Sequence, residues 1–132
     1  MQKKFINPET MPPTFGYSHV VEVSNAKRTI YISGQVAINI DGQIVGINDL
    51  ATQTRQVFEN IKIALVEASD LNFNDVVKLT FFLTDISQMA VVRDIRDQYI
   101  DTNNPPASSA VEVRKLINDN LLIEIEAIAV AN

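Results

Sequence analysis

The sequence contains no cysteine and only one histidine, and both features restrict the chemistry that it can support. Without cysteine the chain cannot form a disulfide, use a thiolate as a nucleophile or bind a metal through sulfur. The single histidine, His19, cannot form a metal site without help from carboxylates, and we interpret it as a partly exposed polar residue on an early strand. Glycine-rich phosphate loops and the HExxH and GxSxG motifs are also missing. We therefore expect no metal site.

The chain also lacks long apolar runs and an excess of positive charge. No apolar stretch approaches the roughly 18 residues of a membrane span, and the N-terminal MQKKFINPET shows no apolar segment of a secretion signal. The net charge is −5 and the basic residues are scattered, which argues against a nucleic-acid surface. These features predict a cytoplasmic protein that binds neither membranes nor nucleic acid, with a single domain over residues 1–132.

Apolar and polar residues alternate in the first third of the chain, as is typical of strands. The pattern predicts strands at residues 4–7, 18–24, 28–33 and 36–40. The last of these meets Asp41-Gly42, a strong hairpin signal, and continues at residues 43–45. The segment 7–16 holds three of the five prolines and is predicted to be a loop.

The period changes to that of a helix after Asp49, whose side chain suits an N-cap. Apolar residues recur at helical spacing from Leu50 to Ala68 and again from residue 86 to residue 100. The second helix is predicted to bury Ile86, Met89, Val92, Ile95 and Tyr99. Further strands are predicted at residues 76–84, 110–114 and 121–130, with a loop at 101–109. Two amphipathic helices in this order suit an α+β fold, in which both pack on one face of a mixed sheet.

The other face of that sheet has no helix to cover it. We assign Val20, Ile30, Ile32 and Phe82 to this face, so that it carries apolar side chains from several strands. Exposed apolar patches of this kind are typically covered by a partner. The sequence therefore predicts a homo-oligomer.

Two carboxylates interrupt the last apolar strand, IEIEAIAV at residues 123–130. Because strand side chains alternate between faces, Glu124 and Glu126 share one face. An exposed, solvated face is one interpretation. The other is that a cleft holds one glutamate against an apolar wall, which would raise the pKa of its carboxyl and suit proton transfer to or from water. Both interpretations fit the same alternation, so the pattern alone leaves them open.

Two loop-like segments can supply polar groups to a ligand. Ser33-Gly34 lies where a predicted strand ends, and the glycine either allows a ligand to approach or forms a simple bulge. In PPASS, at residues 105–109, two prolines stiffen a loop that presents Ser108, Ser109 and backbone N–H groups at a strand start. Neither segment identifies a ligand by itself.

Five segments in this order and spacing resemble the RidA (YjgF) family of reactive intermediate deaminases. They are YISGQV (31–36), QTRQVFENIKIAL (53–65), DVVKLTFFLTD (75–85), PPASSAVEV (105–113) and IEIEAIAV (123–130). The resemblance extends over nearly the whole chain, from about Tyr17 to Val130. It implies a homotrimer with a chorismate-mutase-like α+β fold and a metabolite site in a cleft between subunits. It also implies hydrolysis of 2-imino or 2-enamino acids to 2-keto acids and ammonia, without a cofactor.

The resemblance also implies roles for individual residues. Glu124 corresponds to the glutamate that activates water, Ser33 and Gly34 to the pair that lines the cleft, and Tyr17 to the aromatic residue near its mouth. Glu126 has no assigned role in the family, and we interpret it as structural.

The chain departs from the family pattern on the strand that follows the prolines. Ser108 stands where the active deaminases have the arginine that binds the substrate carboxylate, and Ala110 stands where they have a cysteine. A neutral hydroxyl contributes less to carboxylate binding than a two-pronged guanidinium, by roughly 10- to 10³-fold in affinity. Ser108, Ser109 and the backbone near Ala110 are then expected to contact the ligand. Arg93, on the second predicted helix, either replaces the missing cation or is an ordinary solvated residue.

Two functions fit this pattern. The first is a deaminase-like hydrolase in which Glu124 activates water against a small imine, enamine or related electrophile. The second is a non-catalytic trimeric protein that binds or senses a metabolite in the same cleft. An RNA-cleaving role is disfavoured, because the acidic chain has no basic stripe to hold phosphates.

Overall fold

A computed structural model describes residues 1–132, with the exception of the side chain of Ser69. The regular elements are β1 (Gln2–Ile6), β2 (Val20–Ser24), β3 (Arg28–Gln35), α1 (Leu50–Ser69), β4 (Val76–Leu83), α2 (Met89–Arg96), β5 (Ala107–Glu112) and β6 (Ile123–Ala131). Single turns of 3₁₀ helix precede β4 and α2. In the described part of the chain, no helix combines the length and the apolarity needed to cross a membrane.

Four strands form a mixed sheet in the order β3-β6-β4-β5. β6 is antiparallel to both of its neighbours, whereas β4 and β5 are parallel and are connected through α2. β1 and β2 form a separate antiparallel ribbon. The predicted α+β class, with two helices and a mixed sheet, is confirmed.

Asp49 is the N-cap of helix α1, as predicted, and the helix packs on β3 and β6. The Asp49 carboxylate accepts hydrogen bonds from the Thr52 N–H at 3.1 Å and the Thr52 hydroxyl at 2.7 Å, and these bonds lower the pKa of the Asp49 carboxyl. The inner face of the helix is fully buried at Val57, Phe58, Ile61 and Leu65. This apolar stripe forms the centre of a core shared with the sheet and α2.

The second predicted helix is shorter than its hydrophobic pattern. Residues Ile86–Gln88 form a 3₁₀ turn, α2 covers only Met89–Arg96, and tight turns follow as far as residue 100. The Asp85 carboxylate binds the Ser87 N–H and hydroxyl, which stabilises the short first turn. Tyr99, beyond the end of α2, still packs inward and stacks on Phe58 at a ring-centroid distance of 4.9 Å.

The predicted strands around Asp41-Gly42 were wrong, although the turn itself is present. Ile38 and Ile44 form only an isolated bridge. The Asn39 side chain accepts hydrogen bonds from the backbone N–H groups of Asp41 and Gln43, both at 3.0 Å. These local bonds compete with a strand ladder, so the segment becomes a compact loop instead of a hairpin.

The expected apolar face of the sheet was assigned incorrectly for three of its four residues, and only Phe82 lies on the open face. Ile30 and Ile32 point toward the helices and pack in or against the core, while Val20 belongs to the separate ribbon. Tyr31, which alternates with them, is 77% exposed. The face that the helices leave open carries two apolar side chains, Phe82 and Ile128. The others on this face are polar or amphipathic, namely Tyr31, Ser33, Lys78, Thr80, Glu124 and Glu126. Apolar burial alone therefore no longer argues for an oligomer.

A completely buried amide connects α1 to the loop that leads into β6. The Gln53 side chain donates to the carbonyls of Gly46 at 3.0 Å and Asn120 at 2.8 Å, and accepts from the Leu122 N–H at 2.8 Å. Three backbone groups from two loops are satisfied by one side chain. This bridge helps to fix the start of β6, and with it the position of Glu124.

Replacing Gln53 by methionine preserves the side-chain volume but removes all three bonds. We expect the free energy of unfolding to fall by about 1–3 kcal/mol, since buried backbone groups lose their partners. Chemical denaturation monitored by circular dichroism measures the change. Lys62→Met, on the exposed face of the same helix, is the control and should change stability little. Equal stability of the two variants would contradict the role of the bridge.

Candidate functional site

A cavity of about 280 Å³ lies between α2, β5 and the N-terminal loop, and we call it the α2–β5 cleft. Its lining residues are Phe15, Tyr17, Met89, Arg93, Arg96, Ser108, Ser109 and Ala110. Five of the residues predicted from the sequence are thus brought together here. Ser33, Gly34 and Glu124 are not among the lining residues.

The N-terminal loop is fixed to the segment before β5, and this contact places Tyr17. The Ser18 hydroxyl donates to the Pro105 carbonyl at 2.6 Å, and the Ser18 N–H donates to the Pro106 carbonyl at 3.1 Å. Ser18 is buried, as are both prolines. The stiff proline segment therefore acts as the support for the loop.

His19 contributes to the same loop through local contacts. Its Nε2 lies 2.7 Å from the Pro12 carbonyl oxygen, and its backbone N–H donates to Asn7 Oδ1 at 2.8 Å. The ring meets Tyr17 edge-on at a centroid distance of 5.8 Å. Among the described residues, no cluster of three His, Asp or Glu side chains could hold a metal.

Residues 107–109 belong to β5 and not to a loop, so the predicted strand start at residue 110 was wrong. Ala107, Ser108 and Ser109 already pair in parallel with Lys78, Leu79 and Thr80 of β4. Lys78 Nζ lies 3.3 Å from the Ser109 hydroxyl oxygen and donates to it. The two serines are thus held by a strand ladder, which is a more rigid support than a loop.

The outer edge of β5 presents backbone groups to the cleft. The Val113 N–H donates to the Leu83 carbonyl, toward β4, while the Pro106 carbonyl accepts on the opposite side. Because backbone groups alternate direction along a strand, the N–H of Ala110 points to the outer edge. A ligand in the cleft can therefore meet a backbone donor beside Arg93.

Arg96 is a cleft residue that the sequence did not reveal. It is only 4% exposed, and its guanidinium donates to Asp97 Oδ1 at 3.0 Å and to the Phe15 carbonyl at 3.2 Å. Gly16 has a φ of +76°, and a Cβ at this position would overlap the Arg96 guanidinium. The hydrophobic pattern assigned Arg96 neither to the core nor to the site. The signal available in the sequence was Gly16, next to Tyr17.

Arg93 lies one helical turn before Arg96 and lines the same cavity, but it is exposed. Arg96 is neutralised by Asp97, whereas Arg93 forms no ion pair among the residues that the structure describes. Arg93 is therefore the uncompensated cation of the cleft. This environment fits the binding of one negative charge.

Glu124 lies next to Gly34, and the two strands could not approach in this way with a larger residue. A Cβ at Gly34 would lie 2.7 Å from Glu124 Cδ and closer still to one carboxylate oxygen. The ladder between β3 and β6 is irregular between Ile32 and Gln35, so Gly34 lies in a bulge. Of the two alternatives that the sequence left open, the bulge is present, and the space beside Gly34 is occupied by the Glu124 side chain.

Glu124 is half-buried and Glu126 is exposed. Glu126 instead lines a second cavity of about 220 Å³ on the open face, together with Ser33 and Lys78. The two glutamates share a face, as predicted, but their surroundings differ. Of the two, only Glu124 is enclosed by a neighbouring strand.

Within one protomer Glu124 is separated from the α2–β5 cleft. The strand register pairs Glu124 with Phe82 of β4, and Phe82 with Val111 of β5. Two strand spacings amount to about 10 Å. In addition, Glu124 projects from the open face of the sheet, whereas Arg93 lies on the helix side. The chain thus places the carboxylate and the cation in two separate regions, which we call the carboxylate half and the cation half.

The comparisons with known proteins agree with this architecture. The family model described as Endoribonuclease L-PSP matches residues 8–131, and the chain belongs to this family, the RidA (YjgF) family. A crystal structure of the Rid family protein YyfB from Yersinia pestis is 41% identical and superposes with a TM-score of 0.86, with 98% of this chain and 99% of that chain covered.

This chain covers almost the full length of two curated relatives. A RutC family protein of Pyrococcus horikoshii is 41% identical over 129 residues, which is 96% of this chain and 97% of the relative. The 2-iminobutanoate/2-iminopropanoate deaminase of Escherichia coli is 39% identical over 131 residues, again 96% of this chain and 97% of the relative. The family of this chain therefore includes a named deaminase.

Gly16 and Gly42 share a φ of +76° and permit a matched test of the Arg96 contact. Gly42→Ala should cost only the left-handed backbone penalty of about 1–2 kcal/mol, since no atom lies within 4 Å of the new Cβ. Gly16→Ala should lose about 1–3 kcal/mol more, because Arg96 must move. Thermal and denaturant unfolding measure the difference. Equal losses would show that Arg96 does not hold the loop.

Proposed function

We propose that this protein is a deaminase-like hydrolase that converts a 2-imino or 2-enamino acid to the 2-keto acid and ammonia. Membership of a family with a named 2-iminobutanoate/2-iminopropanoate deaminase supports the reaction class. The observation that carries the proposal is the half-buried carboxylate of Glu124, which is held against Gly34. We further propose that the reaction takes place in the cytoplasm and needs only water as co-reactant.

Arg93 binds the substrate carboxylate in this proposal. It lines the cleft opposite Ser108 and Ala110, and it has no acidic partner among the described residues. The Ser108 hydroxyl and the Ala110 N–H complete the set of donors, and Tyr17 closes the mouth. A guanidinium on the helix thus takes the place of the strand arginine expected from the family pattern.

Glu124 acts as the general base in the proposed reaction. Its carboxylate removes a proton from water, and the water oxygen forms a bond to C2 of the imine while the C=N π electrons move to nitrogen. Glu124 returns this proton to the nitrogen, which gives the neutral carbinolamine. Glu124 then accepts the C2 hydroxyl proton and passes it to the nitrogen as the C–N bond breaks, so that the carbonyl forms and ammonia leaves. Such proton transfers contribute roughly 10²- to 10⁴-fold in rate.

The two halves of the site meet when protomers associate. The carboxylate half, with Glu124, Gly34 and Ser33, comes from one subunit, and the cation half, with Arg93 and Ser108, comes from its neighbour. A homotrimer provides three such clefts and covers the open, amphipathic face of the sheet. The separation of the halves by sheet register and sheet face supports this arrangement.

A non-catalytic metabolite-binding protein is the alternative, since the same cleft could hold an anion without turnover. Stabilisation by a ligand that is never consumed would favour that function. The family is also named for an endoribonuclease. For this chain, the net charge of −5 and the single histidine, which is bonded to Pro12, argue against phosphate-backbone cleavage.

Glu124→Gln should lower imine hydrolysis by about 10²- to 10⁴-fold, because the amide cannot accept the proton from water. The assay follows semicarbazide trapping of imines released from several amino acids by an oxidase. Glu126→Gln, two residues along the same strand, is the matched control and should retain activity within about threefold. If Glu124→Gln shortens imine lifetimes as much as wild type for every precursor, the hydrolase proposal is wrong.

Subunit mixing tests whether the halves come from different protomers. Glu124→Gln and Arg93→Met should each be inactive alone, whereas mixed trimers reassembled from the two should regain part of the activity through clefts that contain neither change. Light scattering should report a multiple of the 14.7-kDa protomer. A 14.7-kDa particle, or mixed trimers with no recovered activity, would contradict an inter-subunit site.

A further inference from the structure

Two apolar side chains, Phe15 and Met89, line the α2–β5 cleft. Phe15 is 68% exposed, whereas Met89 is only 7% exposed. A single exposed aromatic residue on a loop needs no explanation by itself. Phe15 differs because polar contacts of the buried Arg96 side chain fix its backbone.

The Arg96 guanidinium supplies those contacts. Its bond of 3.2 Å to the Phe15 carbonyl and its contact with Gly16 hold the backbone on both sides of the Phe15–Gly16 peptide. Asp97 neutralises the charge, so the buried arginine acts as a clamp and not as a second anion site. The loop thus holds an aromatic ring toward the cavity at low entropic cost.

The geometry points to Phe15 as a specificity-determining residue, which together with Met89 selects substrates that have a large apolar or aromatic side chain beside a single carboxylate. This inference rests on the proposed function for its substrate class. With the carboxylate at Arg93, the substrate side chain meets these two apolar side chains. Imines derived from leucine, methionine or phenylalanine are favoured over those from alanine, and a second carboxylate would face Phe15 and Met89 without a free cation.

Arg96 is a positioning residue in this scheme, because it acts through the Phe15 backbone. A lysine has one compact ammonium group and cannot bind the Phe15 carbonyl and Asp97 in the same fork geometry. Loosening the clamp should therefore weaken binding of large substrates and leave the chemical step unchanged. That separation distinguishes positioning from a general loss of folding.

The test compares imines from leucine, phenylalanine, alanine and glutamate in the semicarbazide assay. Wild type should show kcat/KM at least about 10-fold higher for the leucine and phenylalanine imines than for the other two. Phe15→Ala should lower the values for the large substrates by roughly 10- to 100-fold, and the alanine value by less than about threefold. Arg96→Lys should raise KM for the large substrates with kcat unchanged.

Ile117→Ala, which changes an exposed apolar residue outside both cavities, is the control and should alter none of these values. Equal kcat/KM for all four imines in wild type, or an equal loss for all of them in Phe15→Ala, would overturn the inference. If Arg96→Lys fails to fold, Phe15→Ala decides alone.

A binding measurement separates this inference from the proposed function. Thermal shifts with 4-methyl-2-oxopentanoate, phenylpyruvate and pyruvate require no turnover. Larger thermal shifts with the first two keto acids, and the loss of this difference in Phe15→Ala, would support substrate selection by Phe15 even if no imine is hydrolysed. Equal shifts for all three keto acids, or shifts that persist in Phe15→Ala, would overturn it while leaving hydrolysis by Glu124 intact.

Discussion

The register of β6 is the constraint on which the rest of the structure depends. This strand is paired on both sides, by β3 and by β4, and its alternate residues Ile123, Ile125 and Ala127 are buried under the helices. A slip of one residue would turn these side chains out and bury Glu124 and Glu126 in the core. The hydrophobic pattern thus fixes which face carries the glutamates, and the bulge near Gly34 determines which of them is enclosed.

Much of the fold follows from local periodicity. The errors of the sequence-based prediction lie where local hydrogen bonds, or the phase of a strand, determine the structure. The α1 helix, its Asp49 cap and the strand β4 could be predicted, because each has a clear period and clear ends. The phase of β3 could not, since Ile30, Ile32 and the exposed Tyr31 are all typical strand residues. The loop around Asn39 was missed for another reason, because a side chain that bonds its own backbone is not visible in a hydrophobicity pattern.

The candidate site was predictable to a similar extent. Five residues named from the sequence do line one cavity. Ser108, Ser109 and Ala110 lie within one family segment, whereas Tyr17 and Arg93 lie outside all five. The separation of Glu124 from Arg93 could not be inferred, because it depends on which strands pair and which face each residue occupies. Arg96 was missed because a buried arginine interrupts the apolar stripe of an amphipathic helix. Its position is explained only by its contact with Gly16.

The cation of the cleft lies on a helix, and this placement changes what the site can tolerate. A guanidinium on α2 reaches the cavity from the side, beside its neutralised neighbour Arg96, while Ser108 occupies the strand. In the proposed function, carboxylate binding and strand pairing are therefore carried by separate elements. Residues of β5 can vary for packing without removing the charge, and the cleft can change its ligand preference through α2 and the N-terminal loop.

The docking of Ser18 on Pro105 has a consequence for biosynthesis. The two residues are 87 positions apart, so the cleft cannot close while the ribosome is still adding the second half of the chain. Nascent polypeptides that end before Pro105 therefore lack the support that fixes the N-terminal loop. A pocket built from residues so far apart in the sequence can assemble only late in synthesis.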